Sequence, residues 1–162
     1  MAKQSDHWRV KLLNKRAMTL TTAEFELQEY LKLKHATIFL VKGVADVAVV
    51  QATSTYIPID QFKELFNSLE PCVRDHQLKK LVFDKRNLTV FHQPSMEWYF
   101  TDWKERMFDL GLKTHIKILP NDVVFRQSVK IGREKINLAH PNGKFHQMDI
   151  RYADSIEEAI AM

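Results

Sequence analysis

Apolar and polar side chains alternate along the first third of the chain, which is the pattern of half-buried β-strands. The alternation is clearest from Phe25 to Leu33 and predicts one strand there. Two β-rich runs follow at residues 36–42 and 46–54, separated by Gly43. A glycine between two such runs predicts a β-hairpin.

The first 20 or so residues are mixed and basic in character. Trp8, Val10 and Leu12 alternate with polar residues, which is compatible with a short strand. A loosely ordered N-terminal extension is equally compatible with this composition. We therefore divide the chain into an extension, residues 1–20, and a domain, residues 21–162.

Helical spacing replaces the alternation after residue 58, because apolar residues then recur at steps of three and four. Asp60 is the expected N-cap of the first helix and Pro71 is expected to kink or end it. Gly111 is the expected C-cap of the second helix, and Asp122 the N-cap of the third. The predicted inward positions are Phe62, Leu65, Phe66 and Leu69, then Met96, Phe100, Trp103, Met107 and Leu110, then Val124, Phe125, Val129 and Ile136.

Short β-rich segments separate these helices. The apolar run 81–83 predicts a strand buried on both faces, residues 114–119 predict the next, and residues 145–152 predict an edge strand. A last helix, residues 156–161, follows the capping pair Asp154 and Ser155. The alternation of strands and helices predicts an α/β domain with a single mixed, mostly parallel sheet and packed helices.

Composition and charge narrow the class of protein. The 162 residues are 45% hydrophobic and 27% charged, which is typical of a globular domain. The formal net charge of +4 does not by itself indicate nucleic-acid binding, and no RNA-binding motif accompanies it. Cys72 is the single cysteine, so an intrachain disulfide is excluded and a cytoplasmic location is expected. No apolar run approaches the roughly 18 residues of a membrane span.

Several weak motifs in a fixed order resemble one protein family. They are the strand and helix of residues 47–69, the segment 80–84, Glu97-Trp98 at a helix start, the break at 111–113, a strand ending at Pro120, residues 122–125 and the closing residues 152–159. Together they resemble the SpoIIAA-like, or STAS-like, domains of sulfate transporters and anti-sigma-factor antagonists, in particular the single-domain bacterial members. The resemblance covers about two thirds of the chain. It implies a SpoIIAA-like fold more than an activity.

One departure from that family concerns its phosphorylated serine. In the antagonists this serine lies in an Asp-Ser-Ser-Gly-like stretch at a helix start, whereas this chain has His92-Gln93-Pro94-Ser95 there. Ser95 falls about one position late and the glycine is missing. Ser95 is therefore interpreted as a helix N-cap, with phosphorylation as the alternative.

The loop that leaves the strand at 81–83 carries the candidate binding residues. Asp84 is interpreted as a loop cap or ion-pair partner, with a general base as the alternative. Lys85, Arg86 and His92 can all donate hydrogen bonds, and the loop leads into a helix start that favours anions. We expect Lys85 and Arg86 to be exposed, and this region to contact an anionic ligand or an acidic partner. Trp98 lies off the inward stripe and is a further candidate contact.

The histidines show no paired-ligand spacing on a helix, so no metal site is predicted. No glycine-rich phosphate loop and no Gly-x-Ser-x-Gly elbow is present, so no cofactor and no catalytic constellation is predicted.

Three functional hypotheses follow. The first is a non-enzymatic STAS-like module that binds another protein, or a second copy of itself, in regulation. The second is a carrier or sensor of a small apolar or lipid-like ligand in a pocket between sheet and helices; a well-formed apolar pocket would favour it. The third is an enzyme that uses Asp84 and His92.

Overall fold

All the strands described belong to one sheet, in which they follow the order of the chain. The computed structural model describes residues 9–14, 17–21 and 24–162, the first two ranges by their backbone. The strands are β1 (Arg9–Asn14), β2 (Ala17–Thr21), β3 (Glu26–Lys32), β4 (Ala36–Val41), β5 (Val44–Ala52), β6 (Lys80–Asp84), β7 (Thr114–Ile118) and β8 (Asp149–Tyr152). Strands β1 through β5 pair antiparallel, and β5 through β8 pair parallel.

Helices lie in the connections between the parallel strands, and one more helix follows β8. They are α1 (Ile59–Asp75), α2 (Gln93–Trp98), α3 (Lys104–Asp109), α4 (Val123–Ala139) and α5 (Ile156–Ala161). A π-helical segment (Tyr99–Trp103) joins α2 to α3, and a 3₁₀ turn (Lys144–Gln147) precedes β8. Successive right-handed crossovers place their helices on the same face of a sheet. Accordingly α1 to α4 cover one face, and α5 packs on the other.

The two faces have separate apolar cores. The larger core contains Phe66, Phe83 and Trp103 and lies between the sheet and α1 to α4. The smaller core contains Phe39, Val82 and Ile156 and lies under α5. Because β6 and β7 are covered on both faces, each of their side chains enters one of these cores or ends beside it.

The predicted α/β class, single mixed sheet and packed helices are confirmed. The expectation of a mostly parallel sheet is wrong for its N-terminal half, because at most four residues separate each strand from the next between β1 and β5, which permits only antiparallel pairing. The backbone of residues 9–14 and 17–21 extends this half. Trp8 lies outside the described residues, and the boundary near residue 20 stays a prediction.

Two helix boundaries differ from the expectation. Pro71 lies inside α1, which continues to Asp75 because Cys72 and Val73 pack into the larger core. Their burial outweighs the hydrogen bond that proline removes. The N-cap position of α1 is Pro58, so Asp60 lies in the first turn rather than at the cap.

Three predicted positions are wrong in detail. Leu110 is exposed because α3 ends before it, and Gly111 then adopts the expected positive φ of 104°. Val124 is exposed because Phe125, Val129 and Ile136 set the buried face of α4. The predicted edge strand begins at Asp149 rather than at residue 145, since Phe145 turns into the core against Phe100.

Candidate functional site

A pocket opens where β6 ends, between the sheet, α1, α2 and the start of α4. We call it the sheet–helix pocket; its cavity volume is about 40 Å³, and the space rises to about 480 Å³ when the open solvent at its mouth is included. Its apolar wall is formed by Ile57, Phe62, Phe83, Leu88, Val90, Phe91, Met96 and Phe125. Its polar groups come from Tyr56, Lys85, His92, Ser95 and Tyr99. A largely apolar wall with a few polar groups is the usual construction of a small-molecule site.

Lys85 is the basic side chain that reaches this pocket. It lies directly after β6, and strand alternation directs it to the same face as Leu81 and Phe83. It is only 8% exposed, so the expectation of an exposed Lys85 is wrong. Its Nζ lies 4.9 Å from the centroid of the Phe83 ring. Burial lowers the pKa of this amine to about 8.

His92 and Ser95 form a hydrogen-bonded pair at the pocket. The His92 Nδ1 and Ser95 Oγ atoms are 2.8 Å apart. His92 is the N-cap residue of α2, and Ser95 is the third residue inside the helix. The N-cap interpretation of Ser95 is therefore wrong, because the helix begins at Gln93 and the buried hydroxyl contacts His92 instead of a backbone amide.

Asp84 and Arg86 point away from the pocket. The Asp84 side chain lies on the α5 face of the sheet, where it accepts a hydrogen bond from Gln51. Arg86 donates to the same carboxylate through Nε and Nη2, each at 2.9 Å, and through its backbone N–H at 3.1 Å. The ion-pair interpretation of Asp84 is thus confirmed. Asp84 and His92 lie on opposite faces of the sheet and do not converge on one substrate.

Trp98 lies beside the pocket rather than in its wall. Its ring packs edge-to-face on Phe62, with the centroids 6.2 Å apart. Lys63 Nζ lies 5.8 Å from the centroid of the same ring. Lys85, His92 and Ser95 are therefore the predicted candidates that the structure brings together, whereas Asp84, Arg86 and Trp98 lie outside the pocket wall.

Two further lysines are buried behind the pocket. Lys104 and Lys117 have no exposed surface, and their Nζ atoms have no hydrogen-bond partner in the part of the chain that the structure describes. These atoms lie 3.5 and 4.5 Å from the centroid of the Phe100 ring. Burial lowers the pKa of both amines well below the usual lysine value. Repulsion by Lys85 and Arg133 lowers both further, and Lys104 adds to the effect on Lys117. We refer to Lys85, Lys104 and Lys117 as the lysine cluster.

A buried pair of aromatic side chains adjoins the lysine cluster. The Tyr99 hydroxyl and His115 Nε2 are 2.7 Å apart. Burial raises the pKa of Tyr99 and, together with the lysine cluster, lowers the pKa of His115 well below its usual value. The imidazole is therefore neutral at neutral pH.

Lys104, Lys117, Tyr99 and His115 were not predicted as site residues. Two signals bear on them. Residues 114–119 were predicted as a strand between other strands, and in such a strand both faces are buried. Lys104 follows Trp103 and lies four residues after Phe100, which puts it beside the predicted inward stripe. The π-helical segment widens this stripe, since the Lys104 N–H donates to Tyr99 O, five residues back.

Searches for other kinds of site give negative results within the described ranges. No group of three His, Cys, Asp or Glu side chains there is placed to hold a metal ion. None of the helices described is long and apolar enough to cross a membrane. The chain matches no protein-family model, and comparison with curated proteins likewise gave no match.

Proposed function

We propose that this protein is a non-enzymatic binding module that carries or senses a small, largely apolar molecule in the sheet–helix pocket. The observation that supports this function is the pocket itself, because its wall is mostly aromatic and aliphatic and a few polar groups face it. A wall of this composition is typical of small-molecule sites. We also propose that the fold is SpoIIAA-like, on the basis of the family resemblance and the βα order from β5 to α5.

The geometry gives less support to an enzyme. The candidate base Asp84 is held by Arg86 on the α5 face, while His92 faces the pocket. A general base must lie within hydrogen-bond reach of the proton that it removes. These two side chains therefore do not form a joint acid–base pair.

Ligand binding can be tested by native mass spectrometry of the purified chain and by titration with the neutral apolar dye Nile red. Val90 is at the pocket mouth and 49% exposed, so Val90→Trp should fill the mouth with little disturbance of the core. We expect co-purified ligand mass or dye binding in the wild type, and its loss in Val90→Trp.

The matched control is Val123→Trp, which adds the same side chain at a residue that is 76% exposed and outside the pocket wall. This variant should bind as the wild type does. The proposal would be contradicted if the wild type shows no co-purified ligand mass and no dye binding. It would also be contradicted if both tryptophan variants bind equally.

A second candidate function is a regulatory protein-binding module in which the partner is a second copy of this chain. An apolar stripe on α4 favours it. Val124, Ile131 and Leu138 are exposed and seven residues apart, so they share one side of the helix. The stripe is symmetric about Ile131. An antiparallel pair of α4 helices would place Ile131 against its own copy and Val124 against Leu138, which suits a two-fold homodimer.

The oligomeric state tests this second function. Sedimentation of the wild type should show a dimer, and Ile131→Glu should convert it to a monomer with an unchanged circular-dichroism spectrum. Leu110→Glu, at an exposed leucine outside α4, is the control and should remain dimeric. A monomeric wild type at high micromolar concentration would exclude the stripe as a self-association surface.

A further inference from the structure

The lysine cluster brings three amines together without a carboxylate to balance them. Lys104 and Lys117 are fully buried and unpartnered within the described chain. Burial is the cause of the lowered pKa of Lys85, and no carboxylate among the described residues raises it again. Buried ammonium groups without partners are strongly unfavourable. Such a cluster opposes folding unless the amines lose their protons or an anion balances them.

The groups that surround the cluster do not supply this anion. Tyr99 faces it from the π-helical segment, His115 from β7, and Arg133 from α4. Tyr99 and His115 are uncharged at neutral pH and Arg133 adds positive charge. Asp84, the buried carboxylate nearest in sequence to Lys85, is paired with Arg86 on the other face of the sheet. The potential beneath the pocket is therefore positive whenever any of the amines is protonated.

The pocket gives a ligand direct access to this potential. Lys85 is part of its wall, together with Tyr99, and Lys104 Nζ lies 4.9 Å from the centroid of the Tyr99 ring. A group that enters the pocket as far as Lys85 therefore reaches the front of the lysine cluster. The rest of the ligand would lie against Phe62, Phe91 and Phe125.

We propose that the sheet–helix pocket binds a small molecule with a carboxylate at one end of an apolar body. Lys85 donates to the carboxylate, while Lys104 and Lys117 supply positive charge from behind. This inference rests on the proposed function, because it names the ligand class of the same pocket. A carboxylate suits the site better than a phosphate, since a single amine reaches the pocket and a phosphate offers more oxygens than that amine can satisfy.

Anion binding at this site should be coupled to proton uptake. A nearby negative charge favours the protonated form of each amine, so its pKa rises when the carboxylate binds. At pH 8, where Lys85 is about half protonated, binding should draw protons from the buffer. The affinity should then fall as the pH increases from about 8, the pKa of Lys85 in the free protein, to the raised pKa of the complex, and should level off beyond it.

Isothermal titration of the full chain at pH 8 with octanoate, octanol and octyl phosphate tests the proposal. We expect octanoate to bind at least about 10-fold more tightly than octanol, the gain expected for a hydrogen bond to a charged group. The octanoate heat should also differ between HEPES and Tris, which release their protons with different enthalpies.

Equal binding of octanoate and octanol would overturn this inference alone, whereas binding of neither would also contradict the proposed function. Octyl phosphate binding 10-fold more tightly than octanoate would overturn the carboxylate assignment.

Two variants assign the effect to the cluster. Lys85→Met should weaken octanoate binding about 10-fold or more and leave octanol binding unchanged. Lys117→Met, which lies outside the pocket wall and removes an unpartnered amine, should fold, weaken octanoate binding and reduce the proton uptake. Lys113→Met is the matched control, because this exposed lysine lies over Phe108 and outside the pocket wall. The inference would be overturned if Lys117→Met and Lys85→Met both fold and keep the wild-type octanoate affinity. If Lys85→Met does not fold, an unchanged octanoate affinity in folded Lys117→Met would overturn it.

Discussion

Trp103 connects the second helical run to α1 through both packing and a hydrogen bond. Its ring stacks on Tyr99 with the centroids 5.4 Å apart and packs edge-on against Phe66 at 5.0 Å. Its indole N–H donates to Phe66 O at 2.7 Å. The indole is fully buried, so no other group could replace these contacts without a rearrangement.

Replacing Trp103 with alanine should therefore be costly. We expect Trp103→Ala to reduce the free energy of unfolding by roughly 3–5 kcal/mol, because it removes a large buried side chain and leaves a cavity. Urea denaturation of the purified variant measures this. Trp98→Ala, at a partly exposed position, is the control and should cost less. A loss below about 1 kcal/mol for Trp103→Ala would contradict the packing described above.

At the scale of single residues, burial could be predicted from residue type and spacing at some positions and not at others. The buried positions of Met96, Phe100, Trp103 and Met107 were predicted from helical spacing, and this prediction is confirmed. Lys104 lies on the same side of the helix but was not predicted to be buried, since lysine is rarely found inside a protein without a partner. Its burial follows from the widened π-helical turn, which depends on tertiary packing and not on local propensity.

At the scale of elements, β6 is joined to α5 by one lysine side chain. Lys80 Nζ donates to Ala159 O at 3.1 Å and to Ile160 O at 2.9 Å, at the C-terminal end of α5. A positive charge at this end of a helix is favoured by the free carbonyl groups and the helix dipole. The side chain therefore holds a six-residue helix that is too short to be stable alone.

Removing this cap should loosen α5. We expect Lys80→Met to lower the free energy of unfolding by about 1 kcal/mol, a value reduced for the partial exposure of the site. Hydrogen exchange should accelerate at the amides of α5 more than at those of β6. Lys79→Met, at the adjacent exposed lysine, is the control for a general effect of charge removal. Equal exchange in α5 and β6 would show that the cap does not act locally.

The order of elements was predictable where the period of the apolar pattern changed. The strand-to-helix changes after residues 54, 83 and 119 were each predicted and correspond to α1, α2 and α4. The direction of pairing in the N-terminal half was predicted only for the hairpin of β4 and β5. The 3₁₀ turn before β8 was not predicted, because it depends on Phe145 finding space beside Phe100.

At the scale of the whole molecule, the position of the candidate site was easier to predict than the residues that form it. A loop that follows a buried parallel strand must emerge at the carboxyl edge of the sheet, and the pocket lies there. The predicted loop residues Lys85 and His92 line it. The amines behind it come from α3 and β7, which are distant in the chain, and their convergence depends on the complete sheet.

The lysine cluster also predicts how the stability of the whole molecule responds to pH. Each of these lysines has a pKa in the folded protein below the unfolded value near 10.5. Between these two pKa values the folded protein binds fewer protons than the unfolded chain, so the free energy of unfolding should rise with pH. For Lys85 the window extends from about pH 8 to about 10.5, and for Lys104 and Lys117 it begins lower. Cys72 acts in the opposite direction, because its pKa is raised from 9.0 to about 11 and its contribution is lost as the pH rises between these values.

The interval from pH 7 to pH 9 therefore separates the lysines from the thiol. Urea denaturation across this interval should show an increase in the free energy of unfolding, of at most ~1.4 kcal/mol per pH unit for each unprotonated amine. Lys117→Met should be more stable than the wild type at pH 7, because an apolar side chain replaces an unpartnered amine, and its stability should rise less steeply with pH. Lys113→Met, at an exposed lysine, should keep the wild-type slope. A wild-type stability that is flat or falls between pH 7 and pH 9 would mean that water or an anion compensates the amines in the folded protein.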